Sequence, residues 1–290
     1  MATDGDLGEE EVEDDADPEE SAAAVEDVAH APGFNADDRD DIDRYVHQEV
    51  RALYDVYSYR HAASILANSF SKEFGELQEA LMQFRISVRD IGLPGGNESV
   101  MPKKFSRVLR PLDWLEARIQ ADLTVRMEEY EERFRADGKS VKIKRGEREA
   151  RLLANFIDGH KIDYVKGRVA FDLEWNSKDQ TFDRDLYALR TFHDCGLISA
   201  GVLVTRSASL NPVFPRVPRL TKGGAPVLHQ DGRLAGQPRS VKAKYGASTT
   251  WMGKLLYRLN AGRHGGCPVL VFGITPRLVS DLGSLGGELE

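Results

Sequence analysis

The chain has 290 residues, 41% of them hydrophobic, and a formal net charge of −8 at pH 7. This length permits one large domain or two small ones, and the sequence has no run of about 18 apolar residues that would predict a membrane-spanning helix. Only Cys195 and Cys267 are present, and neither has a partner at metal-ligand spacing, so the cysteines favour a reduced, cytoplasmic environment.

Charge is divided unevenly along the chain. Residues 1–43 contain 18 acidic residues and one basic residue, Arg39, a net charge of −17 that leaves +9 for the rest. The acidic segment has few large apolar groups to offset its ordering entropy, so we expect a disordered tail. Such a tail either screens the basic body from non-specific DNA or simply aids solubility. The basic body favours a polyanionic partner such as nucleic acid, although the same excess would also serve solubility alone.

Residues 44–90 show helical periodicity. The apolar positions are Tyr45, Val46, Val50, Leu53, Tyr54 and Tyr57, then Ala62, Ile65 and Leu66, and then Leu77, Leu81, Phe84 and Ile86. A loop at Leu93-Pro94-Gly95-Gly96-Asn97 interrupts the pattern. Residues 112–134 predict a helix or a long strand, and residues 139–151 are strongly basic. We assign residues 44–140 as the helical part of a single domain that spans 44–290.

The segment from Ile162 to Asp179 predicts a β-hairpin with one acidic face. Because Gly accepts positive φ, Lys166-Gly167 is a plausible two-residue turn, which places Asp163 opposite Ala170. Side chains alternate with period two along a strand, so Asp163, Asp172 and Glu174 share one face, within a diagonal distance of roughly 7–8 Å. The other face is apolar and suits a core. A bulge or a three-residue loop would break this arrangement.

Carboxylates that lie so close repel one another, and a divalent cation is the usual neutraliser. Hard oxygen ligands suit Mg²⁺, and in nucleases with such a motif the first Asp and the second acid bind the ion. Here these are Asp163 and Asp172, with the Leu173 backbone carbonyl as a further oxygen ligand. Glu174 then orients or deprotonates the attacking water, or holds a second ion. The alternative is a solvated strand face that carries a few acids.

The chain beyond the hairpin predicts an α/β core over residues 141–275. Phe182, Leu186, Leu189 and Phe192 form a helical stripe that ends at Gly196, and residues 197–205 form a β-prone run typical of a strand buried on both faces. Residues 206–240 are rich in Pro, Gly and Arg and predict a mobile or functional insertion. A final strand is predicted from Pro268 to Ile274. This order of elements favours a central sheet flanked by helices.

Six residues outside the acid cluster are candidates for DNA binding: Asn176, Lys178, Lys242, Lys244, Ser248 and Thr249. Asn176 shares the acidic face, and Lys178 is either a phosphate contact or an ordinary loop lysine. Ser248 or Thr249 would cap a helix that carries Trp251, and the free amides at that helix N-terminus also suit a phosphate.

The segment IDYVKGRVAFDLEWNSKD (Ile162–Asp179), together with FDRDLYALR and GLISAGVLVTR, resembles the BglII-type restriction endonucleases of the PD-(D/E)XK nuclease superfamily. Further likeness lies in YDVYSYRHAASIL (Tyr54–Leu66), LPGGNES (Leu93–Ser99), KYGASTTWMGKLLYRL (Lys244–Leu259) and GGCPVLVFGI (Gly265–Ile274). The resemblance covers most of residues 44–275. It does not cover the acidic tail or, clearly, residues 206–240.

The resemblance implies a restriction-endonuclease-like mixed sheet flanked by helices, with a helical N-terminal part. It implies a Mg²⁺-dependent type II site-specific deoxyribonuclease, with one or two ions per active site, that cuts both strands of a short palindrome. Asp163 and Asp172 would be metal ligands, and Glu174 would take the third active-site position. The enzyme that names the family carries Gln there, so Glu174 is a departure. A homodimer on duplex DNA and a DNA methyltransferase as functional partner are also implied.

Two other functions are compatible with the same residues. One is a structure-specific or repair DNA nuclease on the same scaffold, which would cut without sequence preference or at junctions. The other is a non-catalytic DNA-binding regulator whose carboxylates are only structural. It would bind specific sequences, but Mg²⁺ would not convert binding into cleavage.

Overall fold

A six-stranded mixed sheet forms the centre of the computed structural model, which describes residues 35–95, 100–230, 232–246 and 248–286. The strands are β1 Tyr54–Tyr59, β2 Leu115–Phe134, β3 Ser140–Lys166, β4 Val169–Glu174, β5 Ala200–Arg206 and β6 Val269–Ile274. Their order is β1-β6-β5-β4-β3-β2. Strands β4, β5 and β6 are parallel neighbours, and the other pairs are antiparallel. The three parallel strands are buried along their whole length, as expected for strands covered on both faces.

Helices cover the two faces of the sheet. They are α1 Arg39–Tyr45, α2 Gln48–Leu53, α3 Ala62–Ser69, α4 Ser71–Gln83, α5 Val88–Gly92, α6 Val100–Leu109, α7 Thr181–Asp194 and α8 Met252–Asn260. Short 3₁₀ helices lie at Arg110–Leu112, Ala208–Arg216, Lys242–Tyr245, Pro276–Leu278 and Leu282–Leu285. The predicted mixed α/β architecture with an N-terminal helical part is confirmed.

Two hydrophobic cores hold these layers together. The first joins α1–α6 to one sheet face and includes Leu66, Phe74, Leu81, Phe105, Phe171 and Phe272. The second joins α7 and α8 to the other face and includes Phe182, Leu186, Leu189, Leu255, Ala170 and Leu203. The acidic hairpin therefore lies between two packed layers, and its two faces meet different surroundings. None of the helices within the described ranges is long and apolar enough to cross a membrane.

The N-terminal part contains one strand, β1, where we expected only helix. Tyr54 and Tyr57, assigned to a helix, lie in β1, which pairs with β6 and alternates between buried and half-buried side chains. Long-range pairing with a buried strand overrides the local helical spacing. The region predicted as helix or strand over 112–134 is the strand β2. Residues 44–140 are therefore not an entirely helical part.

The ordered chain also begins before residue 44. Helix α1 starts at Arg39 and buries Ile42. The predicted end of the disordered segment at residue 43 is therefore wrong. Backbone contacts begin earlier still, because the amide of Asp37 donates to the Ser58 carbonyl. The rest of the predicted tail, residues 1–34, lies outside the described residues.

Strands β2 and β3 continue past the sheet as a two-stranded arm, residues 121–158. The arm contains nine acidic and nine basic residues and so carries no net charge. Cross-strand ion pairs join Lys144 to Glu128 at 2.7 Å and Arg148 to Glu129 at 2.7 Å. The strongly basic run at 139–151 is thus matched by the acidic run of β2, and it does not provide a surplus of positive charge for a polyanion.

The insertion at 206–240 runs over the surface of the first core. Its 3₁₀ helix buries Leu210, Val213 and Phe214. Isolated bridges follow, from Pro218 to Ser240, Leu220 to Pro226 and Leu228 to Pro238. The predicted mobility of this segment stays a prediction.

Candidate active site

The acidic hairpin forms, with a turn one residue later than predicted. β3 and β4 pair at Lys166–Val169, Val165–Ala170 and Tyr164–Phe171. The turn is therefore Gly167-Arg168, and Gly167 takes a left-handed φ of 54°. The predicted turn at Lys166-Gly167 is wrong, and so is the pairing of Asp163 with Ala170.

This shift changes the register by two residues, which preserves the faces. Side chains alternate with period two, so Asp163, Asp172 and Glu174 still share one side of the hairpin. The last ladder pair joins Tyr164 to Phe171. Asp163 and Asp172 are the next residues on the two strands, just beyond this last pair, where β3 stays paired with β2 only on its other edge. The two acids therefore lie where the strands separate.

A cleft with a volume of about 630 Å³ opens beside this point. Asp163, Glu174 and Asn176 line it, together with Lys222 and Lys244. The walls thus combine carboxylates, which suit a divalent cation, with ammonium groups, which suit a phosphate. Asp172 lies behind this surface and is only 7% exposed.

Helix α7 adds a fourth carboxylate that the sequence analysis missed. Asp185 lies on the buried side of α7 with Phe182, Leu186 and Leu189, and it is 3% exposed. Arg184 contacts Asp185 Oδ1 at 3.0 Å and Glu174 Oε1 at 3.6 Å through its Nη2 atom. The available signal was an acid within the apolar stripe of the helix that directly follows the acidic hairpin.

The electrostatics of the cluster follow from burial and like charge. Burial raises the pKa of Asp172 well above its usual range, and Asp185, Asp163 and Glu174 raise it further. Burial also raises the pKa of Glu174, against hydrogen bonding to Ser177 and the charge of Arg184. The pKa of Asp185 is raised well above its usual range by burial and by Glu174, and Arg184 opposes this. Nearby positive charge therefore does not offset the burial and mutual repulsion of these carboxylates.

Two of the DNA-binding candidates, Asn176 and Lys244, line the cleft. Asn176 Nδ2 donates to the Lys244 carbonyl at 3.1 Å. Lys244 Nζ donates to the carbonyls of Leu93 at 2.5 Å and Ile91 at 3.3 Å. Burial, helped by nearby arginines, lowers the pKa of Lys244 to about 8. These two residues therefore join the loop after α5 to the end of β4.

The other four candidates are not among the residues that line this cleft. Lys178, Lys242 and Ser248 are exposed. Thr249 Oγ1 donates to the Gly246 carbonyl at 2.7 Å and accepts from Arg206 at 2.6 Å. The predicted cap is wrong, because α8 begins at Met252 after Trp251 and has no side-chain cap.

Arg206, at the end of β5, is a fully buried arginine that the sequence analysis did not select. Its Nε donates to the Trp175 carbonyl at 2.8 Å, and its Nη2 donates to the Thr250 carbonyl at 2.8 Å. Its guanidinium lies over the rings of Phe214 and Tyr245. Arg206 thereby fixes the chain just beyond Glu174. No local signal marks it, because its acceptors are distant in sequence.

The donor set fits a hard divalent cation in kind, since it consists of carboxylate oxygens with one buried oxygen, Asp185 Oδ2, that has no hydrogen-bond partner. No three Asp, Glu, His or Cys side chains of the described chain are arranged to hold a metal ion as they stand. Asp172 Oδ1 accepts a 2.8 Å hydrogen bond from the Leu173 amide, the next residue on its own strand.

Comparison with known proteins agrees with the resemblance seen in the motifs. The model of the family described as restriction endonuclease BglII/BglIII matches residues 54–274. The match spans β1 to β6 and so includes the whole sheet and the acidic hairpin. A search of curated proteins finds no match. Because the family model covers well over half of the chain, this protein belongs to the BglII/BglIII restriction endonuclease family.

Proposed function

We propose that this chain is a Mg²⁺-dependent type II restriction endonuclease that hydrolyses phosphodiester bonds in both strands of a short palindromic duplex site. Membership of a restriction endonuclease family supports a DNA-cleaving hydrolase, and enzymes of this kind generally use a divalent metal. The observation that carries the proposal is the cleft that Asp163 and Glu174 line together with Lys222 and Lys244. It offers cation ligands and phosphate contacts on one surface.

Each residue of the acidic site would have a separate role in the hydrolysis. Asp163 and Asp172 would hold the cation, with the Leu173 carbonyl as a further oxygen ligand. The bound cation would stabilise the extra negative charge of the pentavalent phosphorus and of the leaving 3′ oxygen. Lys244 and Asn176, which line the same cleft, would orient the scissile strand. Glu174, in the third position, would orient or deprotonate the attacking water or bind a second ion.

A homodimer is proposed on symmetry. A palindromic site has a two-fold axis, and a protein dimer with the same axis presents one active site to each strand. Size-exclusion chromatography with light scattering should give twice the monomer mass of 32.3 kDa. A mass of one chain, with and without DNA, would remove the dimer from the proposal. A DNA methyltransferase that protects the same site would be the functional partner.

Plasmid cleavage tests the activity. Purified protein with unmethylated plasmid DNA and Mg²⁺ should give discrete bands, and the sequenced ends of the fragments give the site and the overhang. Asp163→Asn and Asp172→Asn should abolish cleavage and retain DNA binding. Asp158→Asn is the matched control, because Asp158 lies on the same strand as Asp163 but pairs with Arg118 at the base of the arm. This variant should cut normally.

The alternative functions give distinct outcomes in the same assay. A smear, or cleavage confined to junctions, would indicate a structure-specific or repair nuclease. Sequence-specific binding without cleavage in any divalent cation would indicate a regulator. Glu174→Gln addresses the third position, since Gln cannot accept a proton from water. Full activity of this variant would assign Glu174 an orienting role, and loss of activity with normal cation binding would assign it the role of base.

A further inference from the structure

We infer that Asp185 is a fourth carboxylate ligand of the divalent-cation site. The inference rests on the proposed function, because it assumes that the acids of the hairpin hold a metal ion. It adds helix α7 to a site otherwise built from two strands. The ligand would be a hard cation such as Mg²⁺ or Mn²⁺, because each contributing group is an oxygen.

The first observation is that Asp185 is buried without adequate compensation. Its side chain is 3% exposed, and Oδ2 is a buried oxygen with no hydrogen-bond partner. Oδ1 accepts from Arg184, whose side chain is 66% exposed and therefore offsets little of the cost of burying a charge. A buried carboxylate oxygen without a partner is strongly unfavourable, so a purely structural role leaves this residue unexplained.

The second observation is the position of Asp185 beside the acids of β4. Arg184 Nη2 contacts Asp185 Oδ1 at 3.0 Å and Glu174 Oε1 at 3.6 Å, so the two carboxylates share one guanidinium nitrogen. Asp172 and Glu174 lie on the same side of β4 as Ala170, which is the side that α7 covers. Each additional carboxylate increases the electrostatic repulsion within the cluster. A cation bound among the carboxylates would coordinate Asp185 Oδ2 and would also remove this repulsion.

The third observation is that packing of helix α7 on the sheet fixes the position of Asp185. Helix α7 packs on the sheet through Leu186 and Leu189, both fully buried and both in the core that includes Ala170. Ala170 lies two residues before Asp172 on the same side of β4. The backbone of Asp185 is therefore held at a fixed distance from the acidic strand, as a ligand group requires. Asp183, on the same helix, points elsewhere and pairs with Arg258 at 3.1 Å.

Cation binding to the DNA-free protein tests the inference. Isothermal titration with Mn²⁺ should show at least about tenfold weaker binding for Asp185→Asn than for the unaltered chain. Asp183→Asn, the matched control, should bind Mn²⁺ as the unaltered chain does. The melting temperature gives a second readout. Asp185→Asn should melt no lower than the unaltered chain in EDTA, because the substitution removes a repelled charge, and it should gain less from added Mn²⁺.

Arg184→Met is the second variant and needs no change at Asp185. Removal of the guanidinium should lower the melting temperature in EDTA and tighten Mn²⁺ binding, since Arg184 competes with the cation for Asp185. Equal Mn²⁺ affinity in Asp185→Asn and the unaltered chain would overturn the inference. So would a lower melting temperature in EDTA with an unchanged gain from Mn²⁺, which would assign Asp185 a structural role. If the unaltered chain binds no divalent cation, the metal dependence under "Proposed function" fails instead.

Discussion

Gly201 on β5 lies directly against Leu189 of α7, and its replacement by alanine tests how tightly α7 is held on the sheet. A Cβ at this position would lie 2.7 Å from Leu189 Cδ2 and 2.9 Å from Leu189 Cδ1. Strand β5 cannot move away, because Gly201 pairs with Ala170 on one side and with Val269 on the other. Leu189 is 1% exposed and packs in the second core, so its movement would disturb other buried side chains. We therefore expect an overpacking cost of about 1–3 kcal/mol in the free energy of unfolding.

Urea unfolding followed by circular dichroism measures this cost, and Gly75→Ala is its control. Gly75 lies inside α4, where an added Cβ meets nothing within 4 Å. This substitution should raise the free energy of unfolding by about 0.5–1 kcal/mol, because alanine loses less entropy in a helix. Opposite signs for the two substitutions are the expected result. A Gly201→Ala variant as stable as the unaltered chain would refute the reasoning, since it would show that α7 adjusts freely over the acid cluster.

Three further predictions concern Lys244, Glu76 and Ser87. Lys244, whose pKa is lowered to about 8, is charged below that pH and neutral above it. Affinity for duplex DNA, measured by fluorescence anisotropy, should therefore fall between about pH 7 and about pH 9.5. Lys244→Arg should flatten this pH profile, because arginine stays charged. An equally steep fall in that variant would contradict a DNA contact by Lys244. Glu76 binds Lys166 Nζ at 2.6 Å and accepts from Trp114 Nε1 at 2.9 Å, with both ion-pair side chains 16% exposed. Glu76→Gln should lower the free energy of unfolding by about 1.5–3 kcal/mol, and no change in the urea midpoint would mean that the pair contributes nothing. Ser87 caps α5 through a capping box, so Ser87→Ala should lower the free energy of unfolding by about 1 kcal/mol, measured by thermal unfolding. An unchanged free energy of unfolding would show that the cap does not stabilise the protein.

The acidic face of the hairpin is the feature that the sequence predicted best. Its three acids share one side of the strands because alternation with period two is a local property of extended backbone. The turn was placed one residue too early, yet the face survived, because the register moved by two residues. The buried helix α7 and the strands β5 and β6 were predicted for a similar reason. Their apolar patterns are local and strong.

Strand β1 shows where local pattern failed. Its aromatic residues satisfy a helical spacing and a strand alternation equally well over so short a segment. Pairing with β6, which lies more than 200 residues later in the chain, makes this segment a strand. The edge of β6 pairs with β1 from Tyr54–Ile274 to Tyr59–Val269. The basic run at 139–151 is a related case, because its charge partners lie on β2 and only pairing brings them together.

The sequence by itself thus determined which side chains share a face, the division between the acidic N-terminal segment and the basic body, and the motifs of the BglII/BglIII family. Only the tertiary structure decided which faces meet. It brought Asp185 of α7 to the side of β4 that carries Asp172 and Glu174, and it placed Lys222 and Lys244 in the same cleft as Asp163. The reason is that periodicity along one strand or helix is fixed by backbone geometry, whereas contacts between elements depend on how distant apolar surfaces pack.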